Sequence, residues 1–291
     1  MTPRAFAAQT ASSLARNRWL ALGVAATIVL VALVVLGFTG GIGGHSNPRR
    51  DAVAAYIEQV NATQRGIAKE RQTVSNVYTE ARTNPAGLSG QIVALDRSAR
   101  TLREFDRRLR ALDPPTEAAE LDRRLTILSA AEATFAFEIA RLGRYFPVLA
   151  AERRAVGVAG TKLQGDLAAS TATTARAVAF ERFAVAVAIA VKPLQKAPVP
   201  VALRPVKVDE LARASHLSAT SHDLALALRN GQNADARNLV QEFGVTAAGT
   251  GNAVERKAVI AFDAQARRID TLRLKVAEEH SRLDRSLQRG S

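Results

Sequence analysis

Hydrophobic side chains recur along most of this chain at steps of three and four residues, the spacing of one face of an α-helix. The first such stripe reads Val53, Ile57, Val60, Ile67, Val74, Ala81, with Gln64 and Arg71 interrupting it. Asn47-Pro48 supplies a cap and a first-turn proline in front of it, and Asn84-Pro85-Ala86-Gly87 a stop behind it. A second stripe runs Leu88, Ile92, Leu95, Ala99, Leu102, Phe105, Leu109, Leu112 and halts at Asp113-Pro114-Pro115. Proline lacks a donor and disfavours helical geometry in the residue before it, so the chain turns there. Asp113 is predicted to cap the next helix, with Pro114 as its first residue. That helix carries Leu121, Leu125, Leu128, Phe135, Ile139 and Leu142, and Pro147 is predicted to break or kink it.

A fourth segment covers about 148–191 and is rich in Ala and Thr. Its end, Phe183–Val191, is wholly apolar and alternates Ala with Val or Ile, a pattern a strand would also show. No partner strand is evident, so it reads as the end of a buried helix. Pro193, Pro198, Pro200 and Pro205 predict an extended loop over 193–205. Helical spacing resumes at Leu211, Leu217, Leu224 and Leu228, and Asn230-Gly231 predicts a left-handed stop. Residues 233–288 form one helix or two. Gly244, Gly249 and Gly251 suggest a break, with Asn252 and Glu255 spaced for a capping-box restart. Leu109, Leu112 and Pro114-Pro115 are echoed by Leu194, Ala197, Pro198 and Pro200, which suggests two duplicated halves, 48–147 and 148–291.

The N-terminal region reads differently. Trp19–Phe38 contains no charge, and Thr27 is its one polar side chain. Twenty helical residues reach about 30 Å, the thickness of a hydrocarbon core. A cleaved signal peptide has a shorter apolar stretch and a small-residue cleavage site, which Phe38-Thr39-Gly40-Gly41 does not resemble. The expectation is a cytoplasmic tail (1–18), an uncleaved single-pass transmembrane helix in the cell membrane (19–38) and a glycine-rich linker (39–47). An extracytoplasmic domain (48–291) follows. Arg4, Arg16 and Arg18 set the N-terminus inside.

Composition supports helices. Hydrophobic residues make up 47% of the 291 and aromatics only 5%, so the core is Ala, Val and Leu. The expected fold is all-α, an antiparallel up-down bundle of five to seven helices. In layout the chain is similar to the helical input domains of bacterial receptors. The absence of cysteine excludes disulfides, thiolate metal sites and cysteine nucleophiles. His216 and His222 are six apart, about 120° around a helix, which does not suit chelation of one ion. His280 has Asp284 one turn on, a spacing for a surface pair. No P-loop, nucleophile elbow or metal-binding histidine motif is present, so no enzyme and no cofactor is expected.

The net charge is +13. Arg97, Arg100, Arg103, Arg107, Arg108 and Arg110 alternate with Asp96, Glu104 and Asp106, the spacing of a salt-bridge-laced helix face. Residues 167–208 hold Arg176, Arg182, Lys192, Lys196, Arg204 and Lys207 against Glu181 alone, a candidate contact for an anionic lipid or polymer. No aromatics interleave for base stacking, so nucleic acid is not expected. The functional expectation is a membrane-anchored, non-enzymatic interaction or scaffold module of the cell envelope with a protein partner. The alternatives are a sensory, ligand-binding bundle acting through a separate membrane partner and anionic-surface binding through residues 176–207. Homo-oligomerisation is compatible with either. The membrane reading predicts that the full chain stays in the pellet on alkaline carbonate extraction, while a chain beginning at residue 39 is released. A protease added to intact spheroplasts should digest the C-terminal domain.

Overall fold

The computed structural model describes residues 48–83, 85–247 and 253–289. They form seven α-helices and no strand: α1 (Pro48–Thr83), α2 (Ile92–Arg110), α3 (Ala119–Ala169), α4 (Thr173–Lys196), α5 (Arg204–Arg229), α6 (Asn233–Ala247) and α7 (Ala253–Arg289). Short 3-10 turns lead into α2, α3 and α5. The expected tail, span and linker over 1–47 lie outside the described residues. Among those described, no helix is long and apolar enough to cross a membrane.

The stripes predicted for α1 and α2 are the buried faces of those helices, and α7 buries Phe262, Ile269, Val276 and Leu283. Val53, Val60, Val74, Leu95, Leu102, Leu109, Phe262 and Leu283 all lie in one core with the first half of α3. A second core joins Leu163 near the end of α3 to Phe180, Phe183 and Val187 of α4, Leu217 and Leu224 of α5 and Ala236 of α6. Residues 233–289 are therefore two helices with different partners: α6 packs on α5, and α7 returns to α3.

Four sequence expectations need correction. Pro147 does not end its helix. α3 runs on for 51 residues through it. The unpaired carbonyl belongs to Gly143, where a Cβ would lie 3.2 Å from Ile92 and 3.3 Å from the Leu88 carbonyl, a tight contact, and Tyr145, Phe146 and Leu149 are buried on either side. Packing thus offsets the missing hydrogen bond. The joint expected between halves at 147/148 accordingly falls inside a helix, and the actual interruption is Ser170–Ala172. The loop expected over 193–205 is shorter. Pro193 lies within α4, Pro205 lies in the first turn of α5, and Ala197–Pro200 make the turn. Asp113 and Pro114 do not start α3, which follows the 3-10 turn Thr116–Ala118. The left-handed stop after α5 is present, with Gly231 at φ +68°.

The two proline turns have one geometry. At an offset of 85 residues, Pro115 (φ −61°, ψ 154°) matches Pro200 (−56°, 147°), and Ala118 (−98°, −1°) matches Leu203 (−104°, 3°). The Leu112 amide donates to the Leu109 carbonyl at 3.0 Å, as Ala197 does to Leu194 at 3.3 Å. Ala118 donates to Pro115 at 2.8 Å, as Leu203 does to Pro200 at 3.0 Å. At the same offset, Arg144 pairs with Asp96 across the first hairpin and Arg229 with Glu181 across the second. The hairpins α2–α3 and α4–α5 are thus equivalent, residue for residue, at their turns and at their cross-helix ion pairs.

Leu109 and Leu194 are fully buried at matching positions beside these turns. Replacing either with Ala in the full chain should cost about 2–5 kcal/mol in urea unfolding. A cost below about 1 kcal/mol at either would contradict the packing.

Candidate functional site

α4 buries one side and leaves the other open. Ala177, Phe180, Phe183, Ala184, Val187, Val191 and Leu194 face inward. Phe180 and Phe183 are held edge-on by Phe243 of α6, with centroids 5.9 and 5.5 Å apart. The outward stripe reads Val178, Arg182, Val185, Ile189, Lys192, Lys196, in steps of four and three, and all six are exposed. Val185 is 55% and Ile189 58% exposed, although the wholly apolar run Phe183–Val191 reads from sequence as the end of a buried helix. Val178, Glu181, Arg182 and Val185 line a shallow, open depression of about 240 Å³ on this face. Glu181 is occupied by Arg229, so the cations on this face have no acidic neighbour among the stripe residues.

The equivalent hairpin provides an internal control. The same outward positions on α2 are Val93, Arg97, Arg100, Glu104 and Arg107. Glu104 pairs there with Arg107 at 2.7 Å and with Arg108 at 3.4 Å. That is the solvated, charge-laced face expected from sequence, except that Asp96 reaches Arg144 on α3 and Arg103 stacks 4.5 Å from the Phe137 ring. Where α2 places Arg100 and Glu104, α4 places Val185 and Ile189. The fold itself therefore imposes no apolar requirement at these positions.

The six basic residues singled out from sequence divide into two groups. Arg176 donates to the Ser170 carbonyl at 3.0 Å, stitching the break between α3 and α4. The Lys207 ammonium donates to the carbonyls of Gln195 and Ala197 at 2.8 and 2.7 Å and so caps the end of α4. Arg182, Lys192 and Lys196 share the outward stripe, and Arg204 is exposed at the start of α5. The six do not form one patch.

No protein-family model matches this chain, and neither does any curated protein or solved structure. The chemistry must be read from the side chains alone.

Sequence patterning missed a buried polar seam on α3. Glu132 accepts from Arg71 of α1 at 2.8 Å and from Arg273 of α7 at 3.0 Å, which explains why Arg71 interrupts its apolar stripe. Glu138 accepts the Val201 amide at 2.7 Å, tying the second proline turn to α3. Glu152 and Glu210 meet between α3 and α5, beside Arg153 and Arg213. Burial raises Glu152, whose side chain is 0% exposed, above the usual carboxylate range. Arg213, 4.0 Å away, and Arg153 oppose that rise, and neighbouring Glu210 adds to it. Burial also pushes Glu210 up, but hydrogen bonds from Arg153 at 2.6 Å and from Arg213, with the charge of both, outweigh it and hold Glu210 low. The arrangement is a carboxyl raised by burial beside an ion pair. His216 meets Glu242 at 2.8 Å, and His280 meets Asp284 at 3.0 Å. His280 is buried rather than on the surface. Among the described residues, no group of three or more His, Asp or Glu side chains is placed to hold a metal ion.

A raised carboxyl stabilises the fold below its unfolded pKa, and that contribution is lost as pH rises through the folded value. Glu152→Gln keeps the shape and removes the ionisation. Its melting temperature should match the parent near pH 4 and exceed it by a few degrees at pH 8, equivalent to about 1 kcal/mol in a domain of this size. Equal melting temperatures across that range would contradict a carboxyl raised by burial at Glu152.

Proposed function

We propose that this chain is a membrane-anchored, non-enzymatic helical module of the cell envelope that docks a protein partner on the outward face of α4. Residues 19–38 supply the anchor in this reading, with the N-terminus inside and the helical domain outside. The observation that carries the docking role is the substitution of Val185 and Ile189 for the charged residues of the equivalent α2 face. Exposed apolar side chains grouped on one helix face mark interaction surfaces, whereas scattered ones do not. The flanking cations supply the polar rim such a surface uses.

A scaffold role also suits the framework. Each buried carboxylate of α3 is engaged by, or faces, arginines, and a rigid rod holds the docking helix at a set height. Two of the six bases offered for an anionic surface are spent within the fold, which weakens that alternative.

The double substitution Val185→Glu, Ile189→Glu should leave helicity and melting temperature within about 2 °C of the parent, because both side chains lie outside the core. The same substitution should shift the detergent-solubilised chain on native gels from a complex to the free form. An unchanged complex with the folded variant would refute docking at α4.

A further inference from the structure

We infer that the occupant of the α4 face is an acidic amphipathic helix of another protein, an inference that rests on the docking reading above. Three properties of the face specify it. Its apolar centre is small: Val178, Val185 and Ile189, with no aromatic ring. Its stripe charges are all positive, with Arg182 on one side of Val185 and Ile189 and Lys192 and Lys196 on the other, and the one acid beside them, Glu181, is paired with Arg229. At 1.5 Å per residue, the two cationic ends lie about 15–21 Å apart. A helix presenting two or three apolar side chains between carboxylates at that separation matches both the shape and the sign.

The same properties disfavour the other occupants. A second copy laid antiparallel on this face, centred between Val185 and Ile189, brings Arg182 against Lys192. A parallel copy brings each cation against itself, and like charges across an interface repel. A bilayer is disfavoured by position. The start of α1 lies beside the base of α3, where the Tyr56 hydroxyl donates to Asp122 at 2.8 Å. The α4 turn lies level with Glu138, which accepts the Val201 amide, and Phe183 lies beside Gly160. Along α3 these levels are about 25 and 55 Å from Asp122. The stripe thus points a partner helix to the far part of the rod, away from the end where the anchor joins. The face also lacks the Trp or Tyr that interfacial helices place at headgroup depth.

The test places a photo-crosslinking amino acid at exposed Ala188 of the full chain in its own membranes. A control chain carries it at Arg100, the α2 counterpart of Val185. Adducts are mapped by mass spectrometry. The expected adduct joins Ala188 to a helical segment of a different protein with Asp or Glu flanking an apolar stripe. Its yield should fall at least tenfold in the Lys192→Glu, Lys196→Glu chain, whose melting temperature is unchanged, and the Arg100 control should give none. An adduct to a second copy, to lipid or to a non-acidic segment would overturn the inference. So would no adduct at all, or a yield indifferent to the charge reversal. Loss of the complex on Val185→Glu, Ile189→Glu together with a non-acidic adduct removes this inference and leaves docking at α4 standing. An unchanged complex removes both.

Discussion

One continuous helix organises this protein. α3 is 51 residues long, about 75 Å at helical rise, and it passes through two hydrophobic cores in succession. Its first half is packed by α1, α2 and α7, and its second half by α4. A helix cannot serve two cores unless the stretch between them stays helical. Pro147 threatens that stretch by removing one hydrogen bond. The cost is offset because Gly143 fits against the α2 hairpin and because the aromatic side chains beside the proline are buried. Everything distal to that point, the α4 face included, takes its position from that continuity.

The same rod explains the buried charges. α3 is contacted by α1, α2 and α7 along its first half and by α4 along its second, so several of its polar residues fall between helices. Glu132 and Glu138 sit inside and are met by Arg71 and Arg273 and by the Val201 amide, and Arg153 of α3 meets buried Glu210 of α5 at 2.6 Å. Buried pairs of this kind add little net stability but penalise any other register of the helices, because a slipped register strands a charge. They act as the pins that set α1, α5, α7 and the second proline turn against α3.

The hairpins α2–α3 and α4–α5 use one turn geometry and one ion-pair position, and they differ where they meet the outside. On α2 the central outward positions are charged, and Glu104 pairs with Arg107. On α4 they are apolar at the centre and cationic at the edges. Two copies of one local solution, both exposed but one charged and one apolar at its centre, separate what folding requires of a surface from what binding adds to it. That difference, and not exposure alone, makes α4 the candidate site.

Much of this was legible along the chain. Helical class, the buried stripes of α1 and α2, the stop at Gly231 and the echo between the proline turns follow from spacing, proline and glycine, which act through the backbone within a few residues. What the tertiary structure decided were interactions between residues far apart in sequence. Local rules break a helix at Pro147 and place a loop at Pro193, but packing of Tyr145, Phe146 and Leu194 keeps both segments helical. Spacing marks Phe183–Val191 as uniformly apolar, yet only its placement against α5 and α6 separates Val187, fully enclosed, from Val185 and Ile189, left outside. Six bases close in sequence read as one patch. Three-dimensional placement spends Arg176 and Lys207 on helix ends and aligns Arg182, Lys192 and Lys196 on one stripe. Periodicity states which residues share a face, because that is set by the turn of one helix. Whether a face is covered depends on which other helix arrives there, and that is set by contacts across the whole chain.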